Sequence, residues 1–179
     1  MSFLQASDFT GVIEQGVNEF SSPKIQLYID KFETFYLNWL LGATLYDEFI
    51  EDLDTEPAIT PTSVPTSPRF TVIFNEFRID EDPNTGCIHY SEGIKEMLKY
   101  FIYFEYLRDN QITATITGST KNTFSNSEMA KIIETRIVEN YNLGIKTYQE
   151  IQWYIDDENP NDYDYDNYNG VHKDIMSWL

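Results

Sequence analysis

The chain has 179 residues, of which 41% are hydrophobic and 16% aromatic, and its 30 Asp and Glu against 12 Lys and Arg leave a formal net charge of −18. That length suits one ordinary domain that buries a core without disulfides or metals, and the acid surplus repels phosphate backbones, which argues against direct nucleic-acid binding. Cys87 is the single cysteine, so an intrachain disulfide and a cysteine-rich zinc site are excluded and a reducing compartment is expected.

Met1 to Phe20 carries Asp8, Glu14 and Glu19 and no basic stretch, so it does not read as a secretory signal. No apolar run approaches the roughly 20 residues needed to span a bilayer, and a protein made and kept in a cytoplasm is expected.

Ser22-Pro23 is a helix start, with serine as N-cap and proline at the first helical position. Ile25, Ile29, Phe32, Tyr36 and Leu40 then recur at helical spacing, widened by Leu37, Trp39 and Leu41, so this helix is buried on more than one side. Gly42 predicts a stop or kink, after which Ala43 to Leu53 continues as helix. Residues 54–68 carry four prolines among Ser and Thr and read as a surface loop. Phe70, Val72, Phe74 and the run Phe77 to Ile79 have strand-like composition; Asp82 to Gly86 is turn chemistry, and Cys87 to Tyr90 returns as a strand, which predicts a small hairpin.

Ser91 caps the next helix, whose stripe is Ile94, Met97, Leu98, Phe101, Ile102, Phe104, Glu105 and Leu107. Gln111 to Phe124 is rich in Thr, Ser and Gly, and its alternating Ile112, Ala114 and Ile116 predict an extended arm. A capping box at Ser125 to Glu128 opens the longest helical pattern, carried by Met129, Ile132, Ile133, Ile137, Tyr141, Ile145, Tyr148, Ile151, Gln152 and Ile155. Residues 156–170 hold six carboxylates, no basic residue and no aliphatic anchor, the composition of a solvated tether. Val171, Ile175, Met176, Trp178 and Leu179 follow it. An apolar end beyond such a tether suits a docking peptide that orders on a partner, the alternative being that it folds back on its own core.

The chemistry of catalysis is thin. From Asp80 to Gly86 oxygen ligands alternate, but an EF-hand needs Gly at loop position 6 and Glu at position 12, where Thr85 and Ser91 stand, so a hairpin turn is the better reading. Gly118-Ser119-Thr120-Lys121 lacks the glycine spacing of a phosphate loop. His89 and His172 are too far apart in sequence for a His-x-x-x-His zinc motif, and Cys87 and His89 show no nucleophile–base arrangement. Glu48 with Asp52, and Asp47 with Glu51, are spaced i,i+4 and read as a solvated helix face. No enzyme activity, cofactor or metal is expected.

Three stretches carry a resemblance. Tyr28 to Asp47, an aromatic-rich helix running into a Leu40-Leu41-Gly42 break, resembles the opening helix of the head-to-tail connector (adaptor) proteins of tailed bacteriophages. Gly93 to Asp109 is similar to their second helix. The polar arm through Thr117-Gly118, followed by Asn126-Ser127 and the helix with Tyr141, Asn142 and Ile145, is similar to their third part, particularly in crAss-like phages and their relatives. The likeness spans about residues 23–155 and rests on packing motifs. It implies a ring, commonly dodecameric, that joins the portal at the capsid vertex to the tail or further neck proteins, with DNA only as passing cargo and the virion neck as location. The Pro-rich loop and the acidic tail depart from this pattern.

The resulting expectation is a mainly α protein, a helical bundle with one long C-terminal helix, a small β-hairpin and extended arms. Residues 1–155 form the connector domain, and 156–179 an acidic Tyr-rich tether with an apolar docking segment. Ile112, Ile116, Phe124, Ile175, Trp178 and Leu179 are the candidate partner-binding residues. The rival from another class is an acidic DNA mimic that inhibits a nucleic-acid enzyme, distinguished by phosphate-like spacing of carboxylates and salt-sensitive binding.

Overall fold

The structure, a computed structural model, describes residues 2–9, 22–53, 59–60, 63–80, 86–110, 112–115, 118–121, 127–158, 163 and 168–176, of which 22–23, 110–134 and 157–158 are described by their backbone alone. Four α-helices make up most of the described residues: α1, Ser22–Leu53; α2, Pro68–Phe74; α3, Gly93–Asn110; and α4, Ser127–Trp153, which continues into a π-helical turn at Tyr154–Glu158. The described residues also hold a 3-10 turn at Ala6–Phe9 and two antiparallel strand pairs. Strand β1, Phe77–Ile79, pairs with β2, His89–Ser91. Strand β3, Ile112–Thr115, pairs with β4, Gly118–Lys121. The fold is therefore mainly helical, as expected, with a long C-terminal helix of 27 residues.

Helix α3 is the central member, packed against α1 on one side and α4 on the other. Its stripe is buried from Ile94 to Leu107, and the α1 stripe from Ile25 to Leu40 is buried against it. The layers meet through rings: Tyr36 of α1 stacks on Phe101 of α3 at 4.4 Å, and Phe101 meets Tyr148 of α4 edge-on at 6.1 Å. Gly144 allows this approach, because a Cβ there would sit 3.0 Å from the Phe101 ring. Such aromatic pairs add about 0.5–1.5 kcal/mol to their area burial, so the α1–α3–α4 stack is held by directed contacts as well as by exclusion of water.

The structure corrects two local readings. Phe70, Val72 and Phe74 lie in helix, not strand. Pro68 stands in the first turn, and Phe70, Ile73 and Phe74 form a buried i, i+3, i+4 face, a helical spacing that outweighs their β-rich composition. The predicted arm after α3 is a hairpin, since β3 finds its partner in β4 rather than remaining a single extended strand. The N-terminal segment also joins the core: Phe3, Leu4 and Phe9 are fully buried, and the Phe3 ring meets Phe49 at 6.1 Å and Phe74 at 5.6 Å.

Of the four carboxylates read as a solvated face on α1, Asp47 and Glu51 are exposed, whereas Glu48 and Asp52 hold neighbouring elements. Glu48 pairs with Arg69 of α2 at 2.6 Å. Asp52 accepts the backbone N–H groups of Thr66 and Ser67 and the Thr66 hydroxyl at 2.8–3.1 Å, fastening the Pro-rich loop where α2 begins. Burial opposes its ionisation, but these donors together hold Asp52 below the usual carboxylate range.

Candidate functional site

Helix α1 breaks at Gly42, whose backbone (φ 72°, ψ 172°) lies in a region essentially reserved for glycine. The last turn before a helix break leaves carbonyls in need of donors from outside the helix. Here those donors come from α4 and from the C-terminal segment. The Trp39 carbonyl accepts the Tyr148 hydroxyl and the Val171 N–H, each at 2.7 Å, and the Leu40 carbonyl accepts the Tyr168 hydroxyl at 2.7 Å. Residues 168–176 thus cross the kink as a strap.

Side chains of α4 secure the rest of the strap. Gln152 donates to the Tyr168 hydroxyl at 3.0 Å and to the Val171 carbonyl at 3.2 Å, and the Tyr148 hydroxyl also faces that carbonyl. Gln149 donates to the Lys173 carbonyl at 2.8 Å. The Asn142 amide accepts the Met176 N–H at 2.8 Å and donates to the Met176 carbonyl at 3.1 Å, much as a neighbouring strand would. Lys173 lays its ammonium 3.3 Å from the Trp39 ring centroid, and that ring packs on Phe35 at 4.0 Å. A cation over an indole face is worth about 0.5–2 kcal/mol depending on desolvation. Burial pulls the Lys173 amine below its ordinary range, and the charge of Glu105 opposes that pull.

Glu105 is buried on the α3 stripe and is compensated there. It accepts the Tyr36 hydroxyl at 2.7 Å and pairs with Arg108 one turn later. Burial, followed by the bond to Glu105, pushes the Tyr36 phenol up, so it remains a donor over the ordinary pH range.

The strap turns its apolar side chains outward. Val171, Ile175 and Met176 are 45%, 52% and 37% exposed, and Leu143 beside Asn142 and Phe35 beside Trp39 are exposed as well. Of the candidate contact residues, Ile175 is therefore accessible on this surface. Ile112 occupies the β3 position paired with Lys121; its side chain, and Ile116, Phe124, Trp178 and Leu179, lie outside the described residues.

The acidic stretch expected to lack an anchor has two. Tyr163 is fully buried against Phe70 and Tyr154 and donates to the Arg69 carbonyl at 2.5 Å, and Tyr168 fills the kink. Tyrosine supplies both the apolar ring and the donor that an aliphatic residue would divide between two positions. Sequence reading missed Trp39, Asn142, Gln149, Tyr168 and Lys173 as a group. The available signals were the glycine break and the tyrosines beyond the long helix.

Elsewhere, His89 on β2 stacks on Trp153 at 3.5 Å and bonds through Nδ1 to Glu150 at 2.8 Å, which fastens the first hairpin to α4. Cys87 beside it is exposed. Among the described residues no group of three or more His, Cys, Asp or Glu side chains is placed to hold a metal ion, and no helix is long and apolar enough to cross a membrane. In comparisons with known proteins, no family model matches this chain, and no curated protein or solved structure matches it either.

Proposed function

We propose that this chain is a structural subunit of a tailed-phage neck, forming a ring that joins the portal at the capsid vertex to the tail and lets DNA pass. The observation that carries the reading is the strap, whose backbone is pinned across α1 and α4 while Val171, Ile175 and Met176 face outward. Exposed apolar side chains grouped on one segment of an otherwise acidic protein suit a surface that another protein covers. The hairpin β3–β4 adds to this, because it is two-stranded and such a hairpin is marginally stable without packing from elsewhere. The resemblance of residues 23–155 to connector proteins supplies the particular assembly. A net charge of −18 suits a channel through which DNA slides without adhering.

The test is the mass of the purified chain in solution, alone and with the portal protein of a tailed phage. The expected result is a symmetric oligomer, with twelve copies the number the resemblance implies, bound to the portal. A single-chain mass under both conditions overturns the reading.

A further inference from the structure

We infer that Asn169-Gly170 is a site of self-modification, and that its conversion to aspartate and isoaspartate releases the strap from the kink. The inference is independent of the ring reading. Asn169-Gly170 is the only Asn-Gly pair in the sequence. It stands between the two bonds that tie the strap to α1, the Tyr168 hydroxyl to the Leu40 carbonyl and the Val171 N–H to the Trp39 carbonyl, each at 2.7 Å.

The reaction needs only the chain and water. The backbone nitrogen of Gly170 attacks Cγ of Asn169, and the new N–Cγ bond closes a succinimide ring. The Cγ–Nδ2 bond breaks, and the amide leaves as ammonia with the proton lost by Gly170. Water then opens the ring at Cγ to give aspartate, or at the α-carbonyl to give isoaspartate, in which the main chain runs through Cβ and Cγ. Nothing is oxidised or reduced. Glycine suits the attacking position, because no Cβ crowds its nitrogen and its backbone turns freely. The fold leaves the pair open to this chemistry: Asn169 is exposed, and among the described residues the Gly170 N–H has no hydrogen-bond acceptor.

Both products are poorly received where the asparagine sits. Its Oδ1 fills the space over Gly42, 1.8 Å from where a Cβ at that position would lie. The carbonyls of Trp39 and Leu40, just before the break, form the negative end of the first part of α1. An amide brings a donor to such a place, whereas an aspartate brings only acceptors and a charge. Isoaspartate does more. It adds one carbon–carbon bond, about 1.5 Å, to the main chain between Tyr168 and Val171. A path lengthened by that much leaves one of the two 2.7 Å bonds out of reach.

The experiment ages the full chain in warm, mildly alkaline buffer. Peptide mass mapping locates the gain of one mass unit, an isoaspartate-specific methyltransferase marks the isoaspartate, and hydrogen exchange at Val171 and Met176 is read on the same samples. The expected result is conversion at Asn169 ahead of the other asparagines, with exchange at the two amides rising in step with the converted fraction. Asn169→Ser has no amide to lose and should change in neither respect on ageing. Asn169→Asp carries the charge without the longer main chain, and should speed strap exchange about two- to fivefold from the start. Conversion in urea but not in the folded chain would show that the docked strap bars the reaction, and overturns the inference. Conversion that leaves exchange at Val171 and Met176 unchanged overturns it as well, because the modification then releases nothing.

Discussion

The two ends of the chain are fastened to the same helix in opposite ways. Near the N-terminus, Phe3, Leu4 and Phe9 are driven into the core, and the polar grip is a buried one: Glu33 of α1, 4% exposed, accepts the Ser2 hydroxyl at 2.6 Å and the Leu4 N–H at 3.1 Å. At the other end, the strap gives its backbone to α1 and α4 and keeps Val171, Ile175 and Met176 in solvent. Burying apolar area makes a segment costly to remove, whereas each hydrogen bond traded for water costs only about 0.5–1.5 kcal/mol net. The first arrangement makes the segment part of the core, and the second lays a segment over the kink by polar contacts while its apolar side chains stay in solvent.

The comparison breaks most easily at Phe3. Replacing it with alanine removes a fully buried ring that touches Phe49 and Phe74, and should cost about 3–5 kcal/mol in urea unfolding. A loss below about 1 kcal/mol would mean that the segment is as dispensable as the strap.

Glu33 sharpens the comparison through pH. Burial raises its carboxyl from 4.5 to about 7, even though Ser2 and Leu4 donate to the charged form. The folded protein therefore binds this proton more tightly than the unfolded chain does. The resulting stability is fully present below about pH 4.5 and is lost as pH rises through about 7, a change of about 3 kcal/mol by linkage. The variant Glu33→Gln keeps an oxygen that can accept both donors and has no proton to lose. Its urea midpoint should fall less than that of the parent protein between pH 5 and pH 8, and parallel profiles would remove Glu33 as the cause. Asp52, held low, works in the opposite sense at more acidic pH, where its stabilisation disappears as it becomes protonated.

Gly42 tests the surface that receives the strap. Any Cβ there meets the Asn169 side chain at 1.8 Å in a backbone region that L-residues avoid, and Gly42→Ala should cost about 2 kcal/mol. Hydrogen exchange should accelerate first at the strap amides, beginning with Val171. Uniform acceleration across the molecule would show that the kink and the strap are not coupled.

Legibility in the sequence followed from the kind of force at work. Helices α1, α3 and α4 were readable because their buried residues repeat with the helical period, and the Gly42 break because only backbone conformation explains a glycine amid that stripe. Helix α2 was misread since seven residues with Phe, Thr, Val and Ile carry strand propensity, while Phe70, Ile73 and Phe74 reveal a helical face only once the core is known. The strap was harder. Tyr168 and Tyr163 anchor it through hydroxyls given to the backbone carbonyls of Leu40 and Arg69, and a carbonyl has no residue type for a motif to register. The outward set was partly visible, since Ile175 was picked out by its place in an apolar terminus, whereas Lys173 gained its role only from the fold that puts Trp39 beneath it.

Tyr168→Phe is the smallest change and the one that separates the two modes of attachment most cleanly. It keeps the ring and deletes one oxygen, which donates to the Leu40 carbonyl at 2.7 Å and accepts from Gln152 at 3.0 Å. Two polar groups at the kink then lose a partner, a cost of about 1–2 kcal/mol. Because burial pushes the Tyr168 phenol up, the hydroxyl remains a donor across the range in which Glu33 titrates, so the effect should be the same at pH 5 and pH 8. The strap should open more often by a factor of about 5–30, read as faster hydrogen exchange at Val171 and Met176, while amides around Phe3 and Phe49 change far less. If the loss instead appears as a fall in the global unfolding midpoint as large as that of Phe3→Ala, the strap unfolds together with the core, and the contrast between an end buried in the core and an end laid over it does not hold.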